Sequence, residues 1–205
     1  MAFLSFDADK HEYRLDGKKL PSITEIVGML SNFGKVNPAI IRHASRRGTI
    51  VHELCELVDY GVETDGIECP PELVNYVMAY MHFLRDYKPD WEMIEQKVFS
   101  EDEQIAGTLD RYGYIDGKPW IVDIKTTSSV SRADKVKWAA QLAGYRLMLD
   151  PTKEKGVRCM IVHLKKDQKY TVYTVSEIED KYGFYAETIF QTCLYLYRTV
   201  NGGTE

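Results

Sequence analysis

Hydrophobic and polar positions change period along the chain, and the changes mark its elements. Residues 11–15 and 18–20 alternate around Asp16-Gly17, a pair that suits a two-residue turn, and predict a hairpin. Pro21-Ser22 then opens a helix, with Ser22 and Glu25 at the S-x-x-E spacing of a capping box. Asn37 before Pro38 caps a second helical region, with proline at the tolerated first position. Gly48 is expected to interrupt it before the pattern resumes through Val51, Leu54, Cys55 and Val58 and stops at Gly61. Pro70 and Pro71 start a third helix, with Leu73, Val77, Tyr80 or Met81, and Leu84 as its apolar face, and Lys88-Pro89 ends it.

From Trp91 the period shortens. Residues 91–99, 104–114 and 120–125 read as strands, and Asp116-Gly117 between the last two is the strongest hairpin signal in the chain. Residues 133–149 are helical, 157–164 and 169–175 are strands, and 176–198 read as one long final helix whose Tyr182, Tyr185, Ile189 and Leu196 form a core stripe or offer base stacking. Helices, a three-stranded meander, a helix and then strand-strand-helix predict an α/β sandwich with a mixed sheet, not a doubly wound fold. At 205 residues one domain is expected, with 1–90 the hairpin and helical part and 91–205 the sheet core.

The Asp116-Gly117 turn fixes a register. If it has two residues, Ile115 faces Lys118, and counting outward Asp110 faces Asp123. Directly opposed side chains have Cβ atoms about 4.5–5.5 Å apart, close enough for two carboxylates to repel. A divalent cation removes that repulsion, since hard cations take carboxylate oxygens. Lys125 follows Asp123 at the strand period and shares its face. The three are either solvated edge charges or one site. Ile121, Val122 and Ile124 favour the site, because a charge on a buried strand needs a partner.

Charge first argues the other way. Lys and Arg number 26 against 31 Asp and Glu, for a net charge of −5, which excludes a broad basic coat for DNA. Local basic clusters remain: Arg42, His43, Arg46 and Arg47 before Gly48, and Lys135 and Lys137 near Gln141, each either a solvated face or a hold on phosphates. No apolar run reaches the roughly 18 residues of a membrane span, and no signal peptide is visible, so a cytoplasmic protein is expected. Cys55, Cys69, Cys159 and Cys193 are dispersed, without a CxxC, and read as free thiols in a reducing compartment.

Gly107-Thr108-Leu109-Asp110, Val122-Asp123-Ile124-Lys125-Thr126-Thr127 and Gln141-x-x-x-Tyr145 together resemble the PD-(D/E)xK nuclease superfamily, most closely its RecB-type exonuclease branch. That branch also carries G-T-x-x-H, here Gly48-Thr49-Ile50-Val51-His52. The strand-strand-helix tail is similar to that of mitochondrial single-strand exonucleases of the branch. The opening Tyr13-x-x-x-Gly17 and residues 21–26 are similar to phage-encoded nucleases. The first acidic motif reads Leu-Asp rather than Pro-Asp, as is usual in the branch.

The resemblance implies a restriction-endonuclease-like core: a central mixed β-sheet flanked by helices, with a helical N-terminal part. It implies Asp110 and Asp123 as metal ligands, with the Ile124 backbone carbonyl, and His52 as a further ligand rather than a plain structural hydrogen-bonder. Glu95 matches a family acidic position that ligates metal or activates water, with Glu92, Glu101 and Glu103 as alternatives. Lys125 would stabilise the pentavalent phosphate or, with a lowered pKa beside cations, help deprotonate water. Gln141, Tyr145, Arg46, Arg47, Lys137 and Thr126 would contact DNA or order the site, although Tyr145 also fits a core stripe with Trp138, Leu142 and Leu149. One or two Mg²⁺ or Mn²⁺ ions are implied. Cys193 stands alone near the end, so no iron–sulfur cluster is expected.

The function implied is a metal-dependent DNA exonuclease in phage or bacterial recombination, repair or DNA processing, acting in a bacterial host cell if phage-encoded. Its partner would be a single-strand annealing protein or a helicase, with no membrane. A structure-specific endonuclease or resolvase, and a catalytically dead DNA-binding module, are the alternatives.

Overall fold

The computed structural model describes residues 3–8, 10–31, 38–62 and 68–201. Asn37, the expected cap, lies outside them. Three short strands, β1 (Leu4–Asp7), β2 (Glu12–Leu15) and β3 (Lys18–Leu20), pair antiparallel in that order. The β2–β3 turn puts Asp16 at φ 49° and Gly17 at φ 85°, the positive angles that its two residues predict. β1 adds an edge that the alternation of its four residues is too short to predict. Tyr13, Leu15 and Leu20 pack this small sheet on Ala106.

Helix α1 (Ile23–Gly28) carries the expected capping box: Glu25 N donates to Ser22 Oγ at 3.1 Å, and Ser22 N donates to Glu25 Oε2 at 2.8 Å. Helix α2 (Pro38–Asp59) runs unbroken through Gly48, against expectation. One helical glycine costs only about 1 kcal/mol relative to alanine, and burying Val51, Leu54 and Cys55 offsets it. Helix α3 (Val74–Tyr87) follows a turn at Pro70 and buries Tyr76, Val77, Ala79, Tyr80 and Phe83, so Tyr80 rather than Met81 lies inside. Lys88, at φ 45°, ends it before Pro89.

The main sheet holds β4 (Asp90–Ser100), β5 (Ile105–Ile115), β6 (Lys118–Lys125), β7 (Arg158–Leu164) and β8 (Tyr170–Thr174), side by side in that order. All pairs are antiparallel except β6–β7, which helix α4 (Arg132–Leu149) connects. The expected single final helix is two, α5 (Val175–Tyr182) and α6 (Ala186–Asn201). Gly183 at φ 68° closes the first, and Ala186 N donates to Glu179 Oε1 at 2.7 Å at the start of the second. The break splits the expected stripe: Tyr182 and Ile189 pack half-buried against the core, Tyr185 is 76% and Leu196 43% exposed, and Phe190, Cys193 and Leu194 are the buried face of α6.

Helices α1, α4, α5 and α6 pack one face of the sheet, and α2 and α3 pack the other. Strand β6 feeds both, Ile121 to the first and Val122 and Ile124 to the second, as befits a strand buried on both faces. A mixed sheet flanked by helices, with a helical part before it, is the expected architecture. Cys55, Cys159 and Cys193 are buried and Cys69 is half-buried, all as free thiols. No helix of the described residues is long and apolar enough to cross a membrane.

Candidate active site

The β5–β6 hairpin has the expected register, Ile115 to Lys118 inward to Arg111 opposite Val122. The ladder stops one step before Asp110 and Asp123, where β6 pairs Asp123 with Ile161 of β7 on its other side. Asp110 reaches across this parting of the strands, and its Oδ2 accepts the Ile124 N–H at 2.7 Å. The two acids are therefore neighbours at a fork in the sheet rather than a paired rung.

β4 supplies the third acid. Ile94 pairs with Arg111 and Gln96 with Leu109, which sets Glu95 opposite Asp110. Glu95 has φ 46°, uncommon for a non-glycine residue and held only where its surroundings dictate it. The dictating groups are Arg111 Nη1, 2.9 Å from Glu95 Oε1, and His52 Nδ1, 3.2 Å from the same oxygen. His52 comes from α2. Its Nδ1 also lies 3.7 Å from Asp110 Oδ2, and its Nε2 donates to the Ile124 carbonyl at 3.0 Å.

One ligand atom each from His52, Glu95 and Asp110 lie within 4.8 Å of one another. Among the alternatives to Glu95, Glu92 and Glu101 are exposed, and Glu103 pairs with Arg198 at 3.0 Å. Asp123 sits beside this trio but faces elsewhere: Lys125 Nζ is 2.8 Å from each of its oxygens, and Gln141 Nε2 donates to Oδ1 at 3.1 Å.

The charges are balanced internally. Burial works against the His52 imidazolium, but the Asp110 and Glu95 carboxylates outweigh it and lift its pKa to about 9. Burial raises Asp123, with Lys125 opposing and Asp110 adding, to about 6. Burial also disfavours the Lys125 ammonium, yet Asp123 and Asp110 hold its pKa above the ordinary lysine value. With carboxylates around it, Lys125 is held in its charged form; the expected lowering belongs to a site that holds metal. Burial pushes Glu95 up, but His52 and Arg111 keep it below the usual carboxylate value. Protonated His52 thus occupies the place where acids converge. A divalent cation fits the same place, because carboxylate oxygens suit Mg²⁺ and Mn²⁺ and an imidazole nitrogen is a common additional ligand.

Behind the acids lies a network that sequence reasoning missed. Arg111 is fully buried, and its Nε donates to Asp59 Oδ2 at 2.6 Å while Nη1 donates to Glu95 and, at 2.6 Å, to the Asp110 carbonyl. Asp59 also accepts from the Tyr80 hydroxyl at 2.8 Å and from Trp91 Nε1 at 3.1 Å. The signal was present: Arg111 is a charge inside a strand that is otherwise largely apolar, and such a charge needs a partner.

The residues expected to touch DNA divide. Gln141 and Tyr145 are buried, and their polar ends are engaged inside the protein, Gln141 by Asp123 and the Tyr145 hydroxyl by the Thr108 carbonyl at 2.6 Å. Both polar ends are thus turned toward the acids' own strands. Thr126 is buried too, and its carbonyl accepts from Arg47 Nη2 at 3.0 Å. Lys137 Nζ donates to Ser31 Oγ at 2.6 Å on the α4 side. Arg46 is exposed, and with His43, Arg47 and Lys166 it lines a cleft of about 510 Å³ between α2 and α3. Lys135 instead lies over the Tyr173 ring at 4.2 Å.

Residues 76–203, more than half of the chain, match the family model described as the PD-(D/E)XK nuclease superfamily. No curated protein matched in sequence. Similar solved structures include that of SSO0001, with TM-score 0.41 and 14% identity over 87% of this chain and 76% of that one. They also include an alkaline exonuclease from Laribacter hongkongensis, with TM-score 0.38 and 12% identity over 89% of this chain and 94% of that one. A complex of that exonuclease with dAMP gives TM-score 0.37 and 14% identity over 90% and 95%.

Proposed function

The chain belongs to the PD-(D/E)XK nuclease superfamily, and from that premise we propose that it is a metal-dependent DNA exonuclease hydrolysing phosphodiester bonds at strand ends. The observation that carries the reading is the convergence of His52, Glu95 and Asp110 within 4.8 Å, beside an Asp123–Lys125 pair. Nucleases of this superfamily usually use divalent metals, and His52, Glu95, Asp110 and Asp123 would hold one or two Mg²⁺ or Mn²⁺ ions, with the Ile124 carbonyl at hand. Bound there, the metal supplies a Lewis acid for a phosphoryl oxygen and makes hydroxide available near neutral pH.

The chain's own groups do the rest. Lys125 places a positive charge where the phosphate becomes more negative during in-line attack. Glu95, held at its unusual backbone angle by Arg111, accepts a hydrogen bond from water. Gln141 keeps Asp123 aimed, and Tyr145 ties α4 to β5 beside Asp110. Arg46, Arg47 and Lys166 hold backbone phosphates on the far side of α2, and Lys137 does so on the α4 side. A role in phage or bacterial recombination or repair, with an annealing protein or helicase, belongs to the same proposal, as does a single nuclease domain.

Linear DNA labelled at the 5′ or the 3′ end, single- or double-stranded, tests the reading alongside a covalently closed single-stranded circle. Progressive shortening of the linear strands, with the circle intact, is expected in Mg²⁺ or Mn²⁺. Opening of the circle would assign an endonuclease instead.

A further inference from the structure

We propose that the cleft between the N-terminal sheet and α2 is a nucleobase subsite, which takes the unpaired base of the nucleotide whose phosphate lies at His52, Glu95 and Asp110. The inference rests on the nuclease reading and adds its substrate class, single-stranded DNA or a frayed end.

The cleft measures about 590 Å³, with His52, Glu95 and Thr108 at its inner end and Phe6, His11 and Lys97 at its outer end. That volume is in the range of clefts that hold a drug-sized molecule, roughly 300–1,000 Å³. It accommodates one nucleotide and not a stretch of duplex, so a base entering it has left its stack.

The outer wall is held at a fixed distance from the acids. The Tyr13 hydroxyl hydrogen-bonds Thr108 Oγ1 at 2.8 Å, two residues along β5 from Asp110. Phe6 leans on Tyr13 with ring centroids 4.6 Å apart, and His11 meets the Phe6 ring edge-to-face at 5.3 Å. The Lys97 ammonium lies 5.3 Å from the Phe6 centroid. A cation held there marks the negative face of the ring. A base, which also stacks on that face whatever its sequence, would displace the lysine. Its flexible stem then lets the ammonium swing to a phosphate.

The opposite wall separates base from backbone. On α2 the cleft is lined by Glu53 and Glu56, which repel phosphates and accept hydrogen bonds from the amino groups of bases. Two cations of the same helix, Arg46 and Arg47, line the other cleft. Gly48, which also lines the base cleft, carries no side chain, and even an added Cβ would stay 3.9 Å from its nearest neighbour. The helix is therefore low at the point where a strand would cross from one cleft to the other.

The test uses short single-stranded oligonucleotides carrying 2-aminopurine at successive positions from the end, bound in Ca²⁺, with Phe6→Leu, Phe6→Trp and His11→Ala proteins of unchanged melting temperature. Quenching at one position, lost in Phe6→Leu and kept in Phe6→Trp, is expected. An abasic residue at that position should raise the wild-type KM roughly ten- to hundredfold in Mg²⁺ and leave that of Phe6→Leu unchanged. Cleavage without position-specific quenching, or an abasic penalty equal in wild type and Phe6→Leu, overturns the subsite alone. Position-specific quenching with no cleavage overturns the nuclease reading and leaves the stacking site standing.

Discussion

Half-buried Lys125 and fully buried Arg111 are both cations among carboxylates, and they do different work. Lys125 meets Asp123 with part of its own side chain exposed, so its charge is within reach of a substrate: Lys125→Ala is expected to lower kcat by roughly 10²–10³-fold, read by single-turnover cleavage with folding checked by melting. Arg111 has no exposed surface, and it bonds Asp59, Glu95 and a backbone carbonyl. Arg111→Met should cost about 3–5 kcal/mol of stability, because it strands Asp59 inside the protein. Urea unfolding measures it, and a loss below 1 kcal/mol would mean that the network is ornamental. The sequence made Lys125 legible, since Asp123 lies two residues away on one strand. Asp59 was illegible because its partner is 52 residues distant and no local pattern joins α2 to β5.

Elements were read well where turn chemistry or a cap fixed them. Asp116-Gly117 set the β5–β6 register, and Ser22 and Glu25 set the start of α1. Reading failed where glycine had to be weighed against packing. Gly48 was given a break that burial of its helix overrides, whereas Gly183, with its left-handed backbone, makes the break that was missed. The same contrast gives a prediction in two glycines. A Cβ at Gly113 would collide with the Asp90 carbonyl oxygen and lie 2.8 Å from Trp91 Cα, atoms of backbone that cannot step aside. Gly113→Ala should destabilise by about 1–3 kcal/mol. Gly48→Ala meets nothing closer than 3.9 Å and should stabilise the helix by up to about 1 kcal/mol. Denaturant midpoints of the two variants should therefore move in opposite directions.

For the whole molecule, a net charge of −5 and a fork of carboxylates set the manner in which DNA can be held. The cations that face a strand are few, chiefly Arg46, Arg47 and Lys166 beside one cleft. Contact with roughly three phosphates gives a slope of log affinity on log salt of about −2 for single strands. Fluorescence anisotropy in Ca²⁺ should find that slope, and Arg46→Ala with Arg47→Ala should flatten it by about 1.4. A slope steeper than about −5 would require a basic surface that this chain does not carry. The sandwich and its mixed sheet were legible from period and turns. The cleft beside the acids was not, because its outer wall depends on how the N-terminal sheet docks on β5.

The most direct test is cleavage of end-labelled DNA in Mg²⁺ or Mn²⁺ by the wild type, Asp110→Asn and Asp123→Ala, with folding checked by melting. The account predicts strand shortening by the wild type, none in EDTA, and none by either folded variant. No cleavage by the wild type in either metal, or equal cleavage by Asp123→Ala, would contradict it.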